Sequence, residues 1–149
     1  MKIILGGDHA GFETKEKLRT FFEKKGWRYE DVGPYVYDKN DDYPDYAFKV
    51  GEKVSHDQDF RGILVCGSGV GVVVAANKVK GVRAVAASDE YTAEMSRKDG
   101  NSNVLGLSER NMPFAKIQKI ISVWLKTEFS NEERHKRRVN KIARYESRR

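Results

Sequence analysis

The segment Gly62-Ile63-Leu64-Val65-Cys66-Gly67-Ser68-Gly69-Val70-Gly71 decides the fold. Its first half is an unbroken apolar run, which suits a strand covered on both faces. The run stops at glycines, and apolar residues resume through Val74, Ala75 and Ala76 as a helix. A buried strand that turns through glycines directly into a helix is the building unit of a parallel α/β sheet.

The same alternation continues in both directions. Upstream, Ile3-Ile4-Leu5 reads as a buried strand ending at Gly6-Gly7, and Phe12, Leu18, Phe21 and Phe22 mark a helix closed by Gly26. Trp27 to Val32 alternates as a second strand. Tyr43, Tyr46, Ala47, Val50 and Val54 share one face of a helix opening at Asp42-Tyr43-Pro44, where proline is tolerated in the first turn. Downstream, Val82 to Ala87 is the fourth strand, and Ser88-Asp89-Glu90 caps a helix running to about Lys98. Asn103 to Leu107 is the fifth strand. Phe114, Ile117, Ile120, Ile121, Trp124 and Leu125 define an amphipathic helix, and Asn131-Glu132-Glu133 opens the last one, with Asn131 as its cap. The expectation is one α/β domain over residues 1–149. It has a Rossmann-like parallel five-stranded sheet flanked by helices, and an extended C-terminal helix.

Composition bounds the function. A chain of 149 residues, 39% hydrophobic and 34% charged, can bury a core and solvate its surface. The net charge is +6, and much of the excess lies in Glu132–Arg149, EERHKRRVNKIARYESRR. Such a block suits nucleic acid, a membrane surface or small phosphates. Its acidic residues and helical apolar spacing favour a folded segment, and Tyr145 alone gives no stacking platform for single strands. One cysteine rules out an internal disulfide and fits a reducing compartment. The opening MKIILGGDHAG is charged too early for a signal peptide, and no stretch is long enough to span a membrane. A soluble cytoplasmic protein that binds neither nucleic acid nor membrane is expected.

In sheets of this kind ligands bind at the carboxyl ends of the strands. Two loops lie there: Gly6-Gly7-Asp8-His9-Ala10-Gly11 and Cys66 to Gly71. In the second, backbone N–H groups of Gly67, Gly69, Val70 and Gly71 can converge on an anion. The spacing is G-x-G-x-G after the third strand, not the G-x-G-x-x-G of a dinucleotide fold, and no Walker A loop exists. A lone cysteine at a strand end is ordinarily a small buried hydrophobe. Beside an anion-binding turn, Cys66 is also a candidate thiolate base. Ser68 can bond the thiol or a substrate oxygen, or simply cap a helix. His9, His56 and His135 lie too far apart for a ligand motif, so no metal is expected. Asp8 and His9 could hold an ion loosely, but acid–base or hydrogen-bonding roles suit them better; Asp8 could equally cap the next helix. Arg134 and Arg138, four apart on one helical face, could grip a phosphate or form a solvated basic face. Arg110, after the fifth strand, is a third cationic candidate.

Together these residues resemble the type B ribose-5-phosphate isomerases, a group that also holds galactose-6-phosphate and allose-6-phosphate isomerases. The resemblance runs from Met1 to about Ile142. It rests on GGDHAGF at 6–12, DYPDYA at 42–47, GILVCGSGVGVVVAANKVKGVRA at 62–84, NSNVLGLSER at 101–110 and ERHKRRV at 133–139. It implies cofactor-free interconversion of ribose 5-phosphate and ribulose 5-phosphate through an enediolate. Cys66 would be the base, and Ser68 with the Gly67–Gly71 backbone would stabilise the enediolate. Asp8 would bind sugar hydroxyls; His9, Arg110, Arg134 and Arg138 would hold phosphate. It further implies homodimers, which can pair into homotetramers, with sites built from both subunits and with helix 113–126 and the terminal helix as contact surfaces.

One segment departs from the family pattern. A histidine–asparagine pair follows Ser-Arg at the end of the fourth helix in the family, and that histidine helps open the sugar ring. Here Asp99 and Gly100 take those places, followed by Asn101. Asp99 could act as the acid if burial raises its pKa, His9 could substitute, or the enzyme could use open-chain sugar; Asn101 could cover part of the asparagine's role. A hexose 6-phosphate isomerase and a non-catalytic sugar-phosphate-binding relative are the alternatives.

Overall fold

A computed structural model describes residues 1–148. Five strands, β1 (Lys2–Gly7), β2 (Tyr29–Asp31), β3 (Phe60–Cys66), β4 (Ala84–Ala86) and β5 (Val104–Ser108), form one parallel sheet in the order β2-β1-β3-β5-β4. The helices are α1 (Phe12–Lys25), α2 (Tyr43–His56), α3 (Gly71–Ala76), α4 (Glu90–Lys98), α5 (Phe114–Lys126) and α6 (Glu133–Glu146). A single 3-10 turn, His9–Gly11, joins β1 to α1. This is the expected Rossmann-like fold, terminal helix included.

The apolar runs lie where a doubly covered sheet needs them. Ile63, Leu64 and Val65 are all fully buried, and their alternating sides feed two cores. One core joins Ile3, Leu5, Ile63, Val65, Leu105 and Leu107 to α1, α4 and α5, with Trp124 fully buried. The other joins Ile4, Leu64, Cys66 and Val104 to α2 and α3. The apolar face of α5 (Ile117, Ile120, Ile121, Trp124) is therefore used inside the chain. Only the remaining, less apolar surface of α5 is left for the contact between subunits that the resemblance implies.

Both edge strands are shorter than their sequence patterns. β2 excludes Trp27, whose ring packs 5.4 Å from Phe21 and 5.9 Å from Phe22, and its backbone N–H caps Phe22 at the end of α1. β4 excludes Val82 and Arg83, whose N–H groups bond Val79 and the Asn103 side chain instead. Asn131 is not the cap of α6. It sits at φ +56° with its amide on Phe129 O, and Glu132 holds the cap position.

The terminal helix stands on the body with little burial. Only His135 is buried in it, while Ile142 and Tyr145 are exposed. Among the described residues no helix is long and apolar enough to cross a membrane.

Candidate active site

The strand order fixes where a ligand can go. From β1 the chain moves outward to β2, then crosses to place β3 on the other side of β1. The carboxyl ends of β1 and β3 thus flank the topological switch point. Asp8 follows β1 there, and Cys66 ends β3. The two loops touch: Asp8 N–H donates to Val65 O at 3.2 Å, and a side chain at Gly11 would overlap that same carbonyl.

Cys66 is 4% exposed, and its Sγ accepts the Gly69 N–H at 3.1 Å. Such a bond is stronger to a thiolate than to a thiol. Gly69 can point its N–H inward because it adopts φ +76°, and any Cβ there would meet Leu107 C at 2.9 Å. The loop is tied from below by Ser108 Oγ donating to Gly67 O at 2.7 Å, and by the N–H groups of Glu109 and Arg110 on Cys66 O and Gly67 O. Ser68 is exposed and does not bond Sγ; its Oγ accepts the Val70 N–H at 3.3 Å, the local capping alternative. Val70 is exposed at the start of α3, and Gly71 lies under the ring of Tyr43, where a Cβ would come within 2.8 Å of Tyr43 Cζ.

The Arg110 guanidinium lies over Gly67, where a Cβ would meet Cζ at 2.9 Å. Its positive charge also reaches His9. Asp8, 5% exposed, accepts the Gly11 N–H at 3.1 Å, so the capping role is real. Burial holds the Asp8 carboxyl above the ordinary carboxylate range, against the pull of His9.

His9 has a partner that the sequence did not reveal. Its Nδ1 lies 2.6 Å from Asp41 Oδ1, which also accepts the His9 backbone N–H at 3.0 Å. The hydrogen bond to Asp41 raises the imidazole pKa above its ordinary value, against the opposing effects of desolvation and Arg110. Asp41 is nearly buried, and its Oδ2 has no hydrogen-bond partner among the described residues. Asp8, His9 and Asp41 bring one ligand atom each within 4.8 Å of one another, a spacing a cation could span. The Nδ1–Oδ1 contact commits two of those groups to each other instead. In sequence Asp41 is one acid in the loop run Asp38-Lys39-Asn40-Asp41-Asp42, and only its place 32 residues from His9 in the folded chain distinguishes it.

The remaining candidates lie elsewhere. Asn101 precedes β5, and its carbonyl accepts Arg83 Nε at the amino edge of the sheet. From Val104 to Ser108 the strand rises about 13 Å, so Asp99, Gly100 and Asn101 sit at the far end from Cys66. Asp99 is not buried as an acid would need; its side chain is 50% exposed and lies 3.6 Å from His135 Nε2. Arg134 pairs with Glu132 at 2.9 Å and is exposed, as is Arg138 one turn later. One chain therefore unites Cys66, Ser68, Gly67 to Gly71, Asp8, His9 and Arg110, and keeps Asp99, Gly100, Asn101, Arg134 and Arg138 apart from them.

Comparison with known proteins gives a consistent result. The ribose/galactose isomerase family model matches residues 3–142. A probable ribose-5-phosphate isomerase B of Mycoplasma genitalium is 45% identical, covering 97% of this chain and 95% of that one. A D-erythrulose-4-phosphate isomerase of Mycolicibacterium smegmatis is 40% identical, with 98% and 97% covered. The crystal structure of the M. genitalium ribose-5-phosphate isomerase B with bound ribulose 5-phosphate superposes with a TM-score of 0.94 at 44% identity, over 98% of this chain and 96% of that one. On its sequence motifs, its sheet order and these matches, the chain belongs to the ribose/galactose isomerase family.

Proposed function

We propose that residues 1–149 form one isomerase domain that interconverts ribose 5-phosphate and ribulose 5-phosphate, with Cys66 as the base. The observation that carries the base assignment is the buried Sγ held by the Gly69 N–H at the switch point. In the open-chain aldose, the Cys66 thiolate takes the C2 proton. The electron pair forms a C1–C2 double bond, and charge collects on the C1 oxygen. The backbone N–H groups of the Gly67–Gly71 loop, with Ser68, meet that charge, a preorganised oxyanion site. Returning the proton from sulfur to C1, as the C2 hydroxyl proton passes to O1, yields the ketose. No electrons leave the sugar, so the step calls for no cofactor.

Asp8 would bind the sugar hydroxyls, and His9 with Arg110 would hold the phosphate. His9, whose protonated form Asp41 favours, is also the group best placed in this chain to protonate the ring oxygen. Asp99, Gly100, Asn101, Arg134 and Arg138 lie at the wrong end of their own sheet. The reading that uses them is a homodimer, with tetramers as pairs of dimers, in which they complete the partner's site. Exposed Val70 and Val74 beside the Cys66 loop, next to the open edge of β4, suit such a contact. A cytoplasmic location belongs to the same proposal, because a reducing compartment keeps Cys66 a thiol.

The test is solvent deuterium exchange into ribulose 5-phosphate. Cys66→Ala should lose exchange by about 10²–10⁴-fold while still binding the sugar. Undiminished exchange in that variant removes Cys66 from the mechanism. A second reading, with a four-carbon substrate, is favoured by the 40%-identical erythrulose-4-phosphate isomerase. Turnover of aldose phosphates of four, five and six carbons separates the readings.

A further inference from the structure

The amino edge of the sheet holds a second cationic feature that the Cys66 site does not use. Arg61 in β3, Arg83 just before β4 and Arg97 in the last turn of α4 line one cavity of about 530 Å³. Asn140 and Ala143 of α6 form its opposite wall. Arg97 is 3% exposed.

The donors of these three side chains are only partly used. Arg97 gives Nε to Thr127 O at 3.3 Å, and Nη1 to Asn101 Oδ1 at 2.9 Å and to Ser102 O. Arg83 gives Nε to Asn101 O at 2.8 Å and Nη1 to Gly81 O at 3.4 Å. Arg61 gives Nη1 to Gln58 O at 2.7 Å and Phe60 O at 2.8 Å. Every acceptor is neutral, and Nη2 of each arginine has no protein acceptor among the described residues. None of the three is in an ion pair among those residues either.

Three guanidinium groups share this partly desolvated space and repel one another; Asp57 and Glu128 also line it, but neither forms an ion pair with any of the three. Burial, with Arg61 and then Arg83, pushes Arg97 down to about 10, and burial lowers Arg61 and Arg83 as well. Glu128, Asp59 and Glu146 oppose this from beyond contact distance. All three arginines remain charged at neutral pH. A multivalent oxyanion would relieve the repulsion and fill the free donors in the fork geometry that guanidinium groups present.

We propose that this cavity binds a small oxyanion of the phosphate class through the free Nη2 groups of Arg61, Arg83 and Arg97, separately from the Cys66 site. Because α6 is one wall and is otherwise little buried, the anion would also fasten that helix to the body. The site stands whether or not the isomerase reading holds.

The test is calorimetric titration of the full chain with inorganic phosphate, against chloride at matched ionic strength. It uses an Arg110→Gln background to weaken the other anion site. Phosphate should bind there at about one per chain, and adding Arg61→Gln should weaken it about tenfold. Arg61 touches only backbone carbonyls of its own strand start, so this change leaves the Arg83 and Arg97 networks in place. An unchanged melting temperature in chloride checks that. Amide exchange of residues 138–146 should slow on phosphate addition and stop responding in Arg61→Gln. Absence of phosphate binding in Arg110→Gln, or equal affinity with and without Arg61→Gln, overturns the site. A parallel titration with ribose 5-phosphate tells free phosphate from a phosphorylated sugar as the tighter ligand.

Discussion

Asp41 Oδ1 holds His9 twice, accepting its backbone N–H at 3.0 Å and facing its Nδ1 at 2.6 Å. One carboxylate oxygen thereby sets both the loop and the ring, and assigns the Nδ1 side of the imidazole to the protein. Nε2 makes no hydrogen bond among the described residues and is left for a ligand. The Tyr37 ring, edge-on at 6.4 Å between centroids, flanks the imidazole from another side.

Replacing Asp41 by Asn tests this pairing. The pKa of His9 is raised chiefly by its bond to Asp41, so the imidazolium persists to higher pH in the native protein. If His9 works as the cation, activity falls as pH rises through that raised value. Asp41→Asn removes the cause, so the alkaline limb of kcat/KM should move to lower pH, with a loss of about tenfold or more at neutral pH. A purely structural Asp41 would lower activity at all pH values without moving the limb.

Gly67→Ala probes a different contact. Its new Cβ would come within 2.9 Å of Arg110 Cζ, the far end of a flexible side chain. The guanidinium should swing away at little cost to stability. KM should rise about tenfold while kcat changes less, the signature of lost phosphate binding. Equal KM values in the two proteins would show that Arg110 does not hold substrate.

These two residues show where sequence reading stops. The fold was legible because Gly62–Cys66, Ile3–Leu5 and Asn103–Leu107 are apolar runs that only a doubly covered sheet can bury, and the glycine turn after Cys66 marked the binding end. The edge strands were overdrawn. Trp27 and Val82 alternate correctly, yet packing against Phe21 or bonding to Val79 takes them out of the sheet. Asp41 was not legible, because an acid in a polar loop has no local mark of a partner 32 residues away. Asp99 lies across the sheet from Cys66 within one chain, a separation that the linear sequence does not show.

Trp124→Phe isolates a stability term remote from the cleft. The indole is fully buried, and its Nε1–H donates to Ser102 Oγ at 2.8 Å, while Ser102 also pairs with Ser96 Oγ at 2.8 Å. Phenylalanine keeps most of the apolar contact and deletes the donor. The expected loss is about 1–2 kcal/mol, read as a lower melting temperature with kcat/KM unchanged. A change in kcat/KM would mean that Ser102 transmits to the neighbouring Asp99–Asn101 segment.

Mixing subunits tests whether the distant residues serve a partner. Cys66→Ala removes the base from one end of the sheet, and Arg138→Ala removes a cation from the other. If each site takes Cys66 from one chain and Arg138 from its partner, a mixed dimer concentrates both defects in one site and leaves the second intact. Equal amounts, exchanged to equilibrium, should then recover about one quarter of wild-type activity, since half the dimers are mixed and half their sites are whole. If both residues act within one chain, each site in the mixed dimer carries one defect, and the mixture shows only the average of the two inactive parents. The chain alone favours the first result, because Arg138 follows Arg134 and His135 on the helix that docks beside Asp99, at the end of the sheet opposite Cys66.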